Sequence, residues 1–210
     1  VTILEDIALR VEGGDETSVG ELTQKALSEG ISAGEILNKG LVAGMDVVGE
    51  RFKKNELFIP EVLVSARAMK AGMKIVKPLL GDAIMGSRGK VAIGTIKGDL
   101  HDIGKNIVGM LLEGAGFEVT DLGTDVTKEQ FMEVVEKEEV DIIGMSALLT
   151  TTMTYMKEVI QSVEDANLKG KVKVIIGGAP ISQSYAEEIK ADGYAPDAAS
   201  AVDLVKSLLK

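Results

Sequence analysis

The sequence predicts an α/β protein in which a four-helix bundle precedes a doubly wound, parallel, five-stranded sheet. Three observations carry this. Up to about residue 85 the apolar residues recur at three- and four-residue spacing, the period of amphipathic helices. From about residue 90, strand and helix signals alternate five times, the pattern of a parallel sheet wound with helices. Three of those strand segments are continuous apolar runs, as required when helices cover both sheet faces.

The elements follow in order. Helices are expected at 3–12, 17–29, 33–51 and 60–80. Thr17 and Ser32 suit N-caps, the latter with Glu35 completing a capping box. Gly30 reads as a stop, whereas Gly40 falls inside the third helix at some cost and suggests a tight contact. Pro60 fits the first turn of the fourth helix. Short connections favour antiparallel neighbours, hence a bundle over residues 1–85. Gly86-Ser-Arg-Gly89 is the expected linker, and 90–210 the second domain. There, strands are expected at 90–96, 117–121, 140–146, 172–177 and 193–195, and helices near 103–115, 127–138, 151–166, 182–190 and 197–209. The alternation implies a Rossmann-like sheet of flavodoxin order.

Composition narrows the function classes. With 33 acidic against 23 basic residues, the net charge of −10 argues against nucleic acid and against anionic membrane surfaces. The absence of cysteine excludes disulfides, thiolate zinc sites, iron–sulfur ligation and cysteine nucleophiles. A single histidine makes a protein-only zinc site improbable. No apolar run approaches the roughly 20 residues of a membrane span, and the chain does not open on a basic-then-apolar leader. The cytoplasm is the expected compartment. Val1 at the start points to a processed or trimmed terminus and leaves open whether a segment upstream is missing.

The lone histidine, His101, sits in Gly98-Asp-Leu-His-Asp-Ile-Gly104, between the first strand and the following helix. Ligands of open α/β sheets bind at that carboxyl edge. Neutral imidazole is a good transition-metal ligand, and its other nitrogen usually donates to a carboxylate, which Asp99 can supply. Gly98 and Gly104 let the backbone approach a bulky group. The bland alternative is a polar loop with Asp99 or Asp102 as an N-cap. A phosphate loop fails, because five residues separate Gly98 from Gly104 and Lys105 is followed by Asn106. After the third strand, Ser146 and Leu148 could line a slot for a flat ring, or the Ser/Thr cluster through Thr150 and Thr152 could simply cap a helix. Gly177-Gly178, after the fourth strand, suit either a turn or a close-passing ligand tail.

Taken together, Gly98-Asp-Leu-His-Asp-Ile-Gly-Lys-Asn-Ile-Val108, Ser146-x-Leu148 and Gly177-Gly178 resemble the cobalamin-binding module of methionine synthase and the small corrinoid proteins of methyltransferase systems. The resemblance spans nearly the whole chain. It implies cobalamin bound base-off, with His101 as the lower axial cobalt ligand and Asp99 orienting it. A cofactor-binding set of Gly98, Asp102, Ile103, Gly104, Ser146, Leu148, Thr150, Gly177 and Gly178 comes with it, Ser146 and Leu148 meeting the dimethylbenzimidazole and the glycines lining the tail channel. Thr152 stands where methionine synthase has Ser as the third relay hydroxyl. Phe58, Val62 and Met69, in a segment similar to the family's cap, would shield the upper corrin face, although each also fits an ordinary bundle core.

The resemblance further implies a methyl carrier. Cobalt(I) would accept a methyl group from a donor-specific methyltransferase. The methylcobalamin would pass it to an acceptor methyltransferase using tetrahydrofolate or a thiol, with a reductive reactivation protein in support. A hinge at the linker would expose the cofactor. The chain would be a carrier subunit rather than a complete enzyme. Two alternatives use the same fold. One is the cobalamin-binding subunit of an adenosylcobalamin-dependent mutase, against which the cap-like segment counts. The other is a B12-binding sensor module, against which the missing Trp and missing basic recognition helix count. A flavodoxin-like domain for another phosphate-bearing ligand would require three coincidences.

Overall fold

The computed structural model describes residues 1–80 and 88–210. Residues fall into two compact units. One holds the N-terminal helices together with Met110–Gly116; the other holds the sheet and the remaining helices. Of the expected linker, Gly86 and Ser87 lie outside the described residues.

In the helical unit, α1 (Ile3–Glu12) is opened by a Thr2–Glu5 capping box, and α2 (Glu16–Ser28) follows. The cap of α2 is Asp15, whose carboxylate accepts from the Ser18 amide at 3.1 Å, and not Thr17 as expected. Both types cap well, and the helix simply begins one residue earlier. The third expected helix is composite, with α3 (Ala33–Glu35), a π-helical stretch Ile36–Val42 and α4 (Ala43–Lys53) running on without a break. Ser32 caps it as expected, at 3.3 Å from the Glu35 amide. The wide turn lies where the chain presses on α1. A Cβ on Gly40 would come within 3.0 Å of Ile7, and one on Gly44 within 2.6 Å of the Ala8 carbonyl. α5 (Ile59–Val76) starts with Pro60 in its first turn and with the Phe58 amide donating to Glu61 at 2.7 Å. It ends four residues earlier than expected, in a 3-10 turn Lys77–Leu79, because Pro78 has no N–H to continue the ladder.

The second unit is the expected sheet. Strands β1 (Lys90–Thr95), β2 (Glu118–Asp121), β3 (Ile142–Ser146), β4 (Lys173–Gly177) and β5 (Gly193–Ala195) are all parallel, in the order β2-β1-β3-β4-β5. Helices α6 (Ile103–Gly114), α7 (Lys128–Glu138), α8 (Thr150–Met153), α9 (Met156–Asp165), α10 (Gln183–Glu188) and α11 (Ala198–Leu208) connect or follow them. Ile143, Met145, Val174 and Ile176 pack with Phe131, Val134, Met156 and Val159 of the covering helices in one continuous buried cluster. The expected single helix at 151–166 is broken between α8 and α9. The Tyr155 amide bonds back three residues to Thr152, and Tyr155 Oη accepts from the Lys128 amide at 3.2 Å, so that side chain is tied to the start of α7.

This strand order places the reversal of winding between β1 and β3. The crevice beyond their carboxyl ends is where such sheets receive ligands. The loop carrying His101 leaves β1 there, and the Ser146–Thr152 segment leaves β3 beside it.

Candidate functional site

Asp99 is the centre of the site. It has no solvent exposure, and its carboxylate accepts five hydrogen bonds. Oδ1 takes the His101 amide at 3.1 Å and pairs with His101 Nδ1 at 2.7 Å. Oδ2 takes the amides of Leu148 at 2.8 Å and Leu149 at 3.2 Å and the Thr152 hydroxyl at 2.9 Å. Burial alone would push this carboxyl up. The Leu148 amide, the His101 ring and amide and the Thr152 hydroxyl outweigh it and hold Asp99 well below the usual carboxylate range. Asp99 therefore stays ionised and joins the β1 loop to the β3 loop.

His101 is the exposed end of that network. Its side chain is 53% accessible, and with Nδ1 committed to Asp99, Nε2 has no partner among the described residues. The carboxylate fixes the Nδ1–H tautomer, so Nε2 presents a lone pair, the arrangement of a metal-ligating imidazole. Around it, Leu100 (72% exposed), Ile103 (74%), Leu148 (44%) and Leu149 (41%) leave apolar side chains in the open. Large apolar groups clustered this way mark a binding surface.

The loop is built to hold this geometry. Gly98, at φ +82°, turns the chain in the left-handed region, and its amide donates to Asp125 Oδ1 at 2.7 Å. The Asp125 amide in turn reaches the Asp99 carbonyl at 3.1 Å. Lys105, buried in the first turn of α6, donates to both Asp121 oxygens at 2.6 Å and to Asn106 Oδ1 at 2.7 Å, fastening the helix start to the end of β2. Thr95, also fully buried, donates to the His101 carbonyl at 2.9 Å and lies 3.0 Å from Ser146 Oγ. Sequence reasoning missed Thr95, Asp125 and the Lys105–Asp121 pair. The positions at the carboxyl ends of β1 and β2 were the available signal.

The other expected residues are distributed as follows. Ser146 and Thr152 are half-buried beside Asp99 and Thr95. Leu148 enters the network through its amide, with its side chain free. Asp102, Ile103, Gly104 and Thr150 are exposed, and a Cβ at Gly104 would meet nothing within 4 Å. Gly178, at φ +123°, lies so close to β3 that a Cβ would sit 1.9 Å from the Ala147 carbonyl oxygen. Gly177 is bonded through its carbonyl to the Ala147 amide at 3.2 Å. In the helical unit, Phe58 is 66% exposed, whereas Val62 and Met69 are buried.

Among the described residues, no three His, Cys, Asp or Glu side chains converge on a point that could hold a bare ion. A metal on Nε2 must bring its other ligands with it. A macrocycle that carries a transition metal at its centre would suit both the lone imidazole and the open leucine and isoleucine side chains. Comparisons with known proteins identify that class. Residues 89–203 match the family described as "B12 binding domain", and residues 3–77 match a second family of the same description. A corrinoid protein of Desulfitobacterium hafniense (strain Y51) is 44% identical over 212 residues, covering 100% of this chain and 98% of the relative. The dimethylamine corrinoid protein of Methanosarcina barkeri is 43% identical over 208 residues, covering 99% and 97%. The crystal structure of the methanol:cobalamin methyltransferase complex MtaBC from Methanosarcina barkeri superposes with a TM-score of 0.89 at 32% identity, over 99% of this chain and 79% of that one. The chain belongs to the family of B12-binding corrinoid proteins, and its cofactor is cobalamin. No helix among the described residues is long and apolar enough to cross a membrane.

Proposed function

We propose that the chain is a cytoplasmic methyl carrier that holds cobalamin base-off, with His101 Nε2 as the lower axial ligand of cobalt. The observation that carries this reading is the exposed imidazole whose Nδ1 is held at 2.7 Å by a buried, ionised Asp99 while Nε2 is free. When bound, the cofactor supplies a cobalt centre able to take up and give up a methyl group. The protein's own residues hold and orient it. Asp99 fixes the imidazole tautomer and strengthens it as a ligand. Thr152, whose hydroxyl donates to Asp99 Oδ2, would give protons a route to and from the Asp99–His101 pair. Gly98, Asp102, Ile103 and Gly104 of the β1 loop and Thr150 of the β3 loop would border the cofactor, and Ser146 and Leu148 would meet its dimethylbenzimidazole. Gly177 and Gly178 would line the channel of the nucleotide tail with their backbone only, since the space their missing side chains leave is taken by the Ala195 and Ala147 carbonyls. Phe58 is already accessible as a cap residue; Val62 and Met69 would serve only if uncovered.

The name of the Methanosarcina barkeri relative and the methyltransferase complex that the MtaBC structure holds support a methyltransferase as partner. Donor specificity then resides in that partner, and a second methyltransferase, for tetrahydrofolate or a thiol, takes the methyl group on. A reductive reactivation protein would return oxidised cofactor to service.

The test is to load the full chain with hydroxocobalamin under reducing conditions, desalt it and record its absorbance. Wild-type protein should retain the corrinoid. His101→Ala should retain less and show an altered spectrum, because a water or nothing replaces the imidazole. A colourless wild type, or a variant spectrum identical to wild type, would overturn the axial-histidine reading.

A further inference from the structure

The geometry points to Thr95 as a positioning residue for the axial histidine, an assignment that rests on His101 being the cobalt ligand. His101 has four polar handles: its amide, its carbonyl and two ring nitrogens. Asp99 Oδ1 holds the amide at 3.1 Å and Nδ1 at 2.7 Å. Thr95 Oγ1 holds the carbonyl at 2.9 Å. Two side chains with no solvent exposure thus fix three of the four handles and leave Nε2 alone for the metal.

The direction of the bonds follows from the donor inventory. A threonine hydroxyl has one proton, and the His101 carbonyl can only accept. The Thr95 proton therefore goes to His101, and the 3.0 Å contact with Ser146 must be a bond donated by Ser146 to Thr95. The result is a directed chain from Ser146 at the end of β3, through Thr95 at the end of β1, to the backbone of His101. Thr95 is itself rigidly seated. Its amide donates to the Gly123 carbonyl at 2.9 Å and its carbonyl accepts from Val126 at 2.9 Å, so β1 is locked to the loop after β2 at this residue. Asp99 sets the ring's rotation and tautomer; Thr95 sets how far the His101 backbone stands above the sheet edge, and hence the reach of Nε2.

The experiment uses the full chain grown with 15N-histidine, loaded with cobalamin and reduced to cobalt(II). Electron paramagnetic resonance then distinguishes the labelled ring, which splits each cobalt line into a doublet, from added unlabelled imidazole, which gives a triplet. In Thr95→Val, which keeps the shape and loses the hydroxyl, the imidazole concentration that displaces His101 should fall about fivefold, the loss of one hydrogen bond's worth of positioning. Thr95→Ser should return it to the wild-type value. A Thr95→Val protein that melts cooperatively and yields to imidazole at the wild-type concentration overturns the assignment while leaving the axial reading intact. Should Thr95→Val not fold, Thr95→Cys, with a weaker donor of similar size, should give a shift in the same direction, and no shift there would equally overturn it. A wild type with no doublet removes both the axial reading and Thr95's role.

Discussion

Asp99→Asn should destabilise the sheet unit by about 3 kcal/mol, since it leaves buried donors unpaired at hydrogen bonds that end on a charge, and should release most bound cobalamin. The carboxylate offers acceptors on both sides, to the His101 amide and ring through Oδ1 and to Leu148, Leu149 and Thr152 through Oδ2. An amide has one oxygen. Whichever way it turns, its NH2 faces backbone N–H groups that cannot reverse. Thermal unfolding should show a Tm lower by roughly 10 °C, and desalted protein should lose colour. The pH dependence has a definite sign. Because the folded state holds this carboxyl below its ordinary value, its contribution is whole above the unfolded carboxylate range and is lost as the pH falls from there toward the folded value. The difference in stability between wild type and variant should therefore be constant above about pH 5 and shrink only below about pH 4. A variant matching wild type at neutral pH would mean that Asp99 is not the hub of the site.

Gly178→Ala should be the most damaging single-methyl change in the sheet unit. The added carbon would lie 1.9 Å from the Ala147 oxygen and 3.0 Å from its carbonyl carbon, at a φ of +123° that an L side chain rarely adopts. Strain at such a φ and forced overpacking each cost about 1–3 kcal/mol. The only relief is to part the ends of β3 and β4, which stretches the Ala147–Gly177 bond and shifts the Leu148 amide away from Asp99. Urea unfolding should show lost stability and corrinoid loading should fall together. Gly177→Ala is the control. Its Cβ meets only the Ala195 oxygen at 3.0 Å, a contact that a small shift relieves, so its effect should be much smaller. Equal effects from the two would contradict this account of the strand ends.

The fold and the site were legible in sequence to different depths. β1, β3 and β4 are buried on both faces and so write themselves as unbroken apolar runs. The pairing of the lone His101 with Asp99 two residues before it is legible because an imidazole on such a loop commonly gives one ring nitrogen to a nearby carboxylate. The breaks within helices are not legible, because Tyr155 is drawn to Lys128, distant in sequence, and the π turn answers to α1 packing on Gly40 and Gly44. Thr95 and Asp125 escape for the same reason. Their roles come from bonds to residues on neighbouring strands and loops, and a Thr at a strand end or an Asp in a turn carries no mark of that pairing. Leu148 shows the opposite case, a residue singled out for its side chain whose amide, invisible to any sequence pattern, makes the contact with Asp99.

The central claim, that His101 ligates cobalt, can be decided because the chain has only one histidine. Wild-type protein labelled with 15N-histidine, loaded with cobalamin and reduced to cobalt(II), should give resonance lines split into doublets by the labelled ring. Triplets, from an unlabelled benzimidazole nitrogen still on the metal, or unsplit lines, from no nitrogen ligand at all, would contradict it.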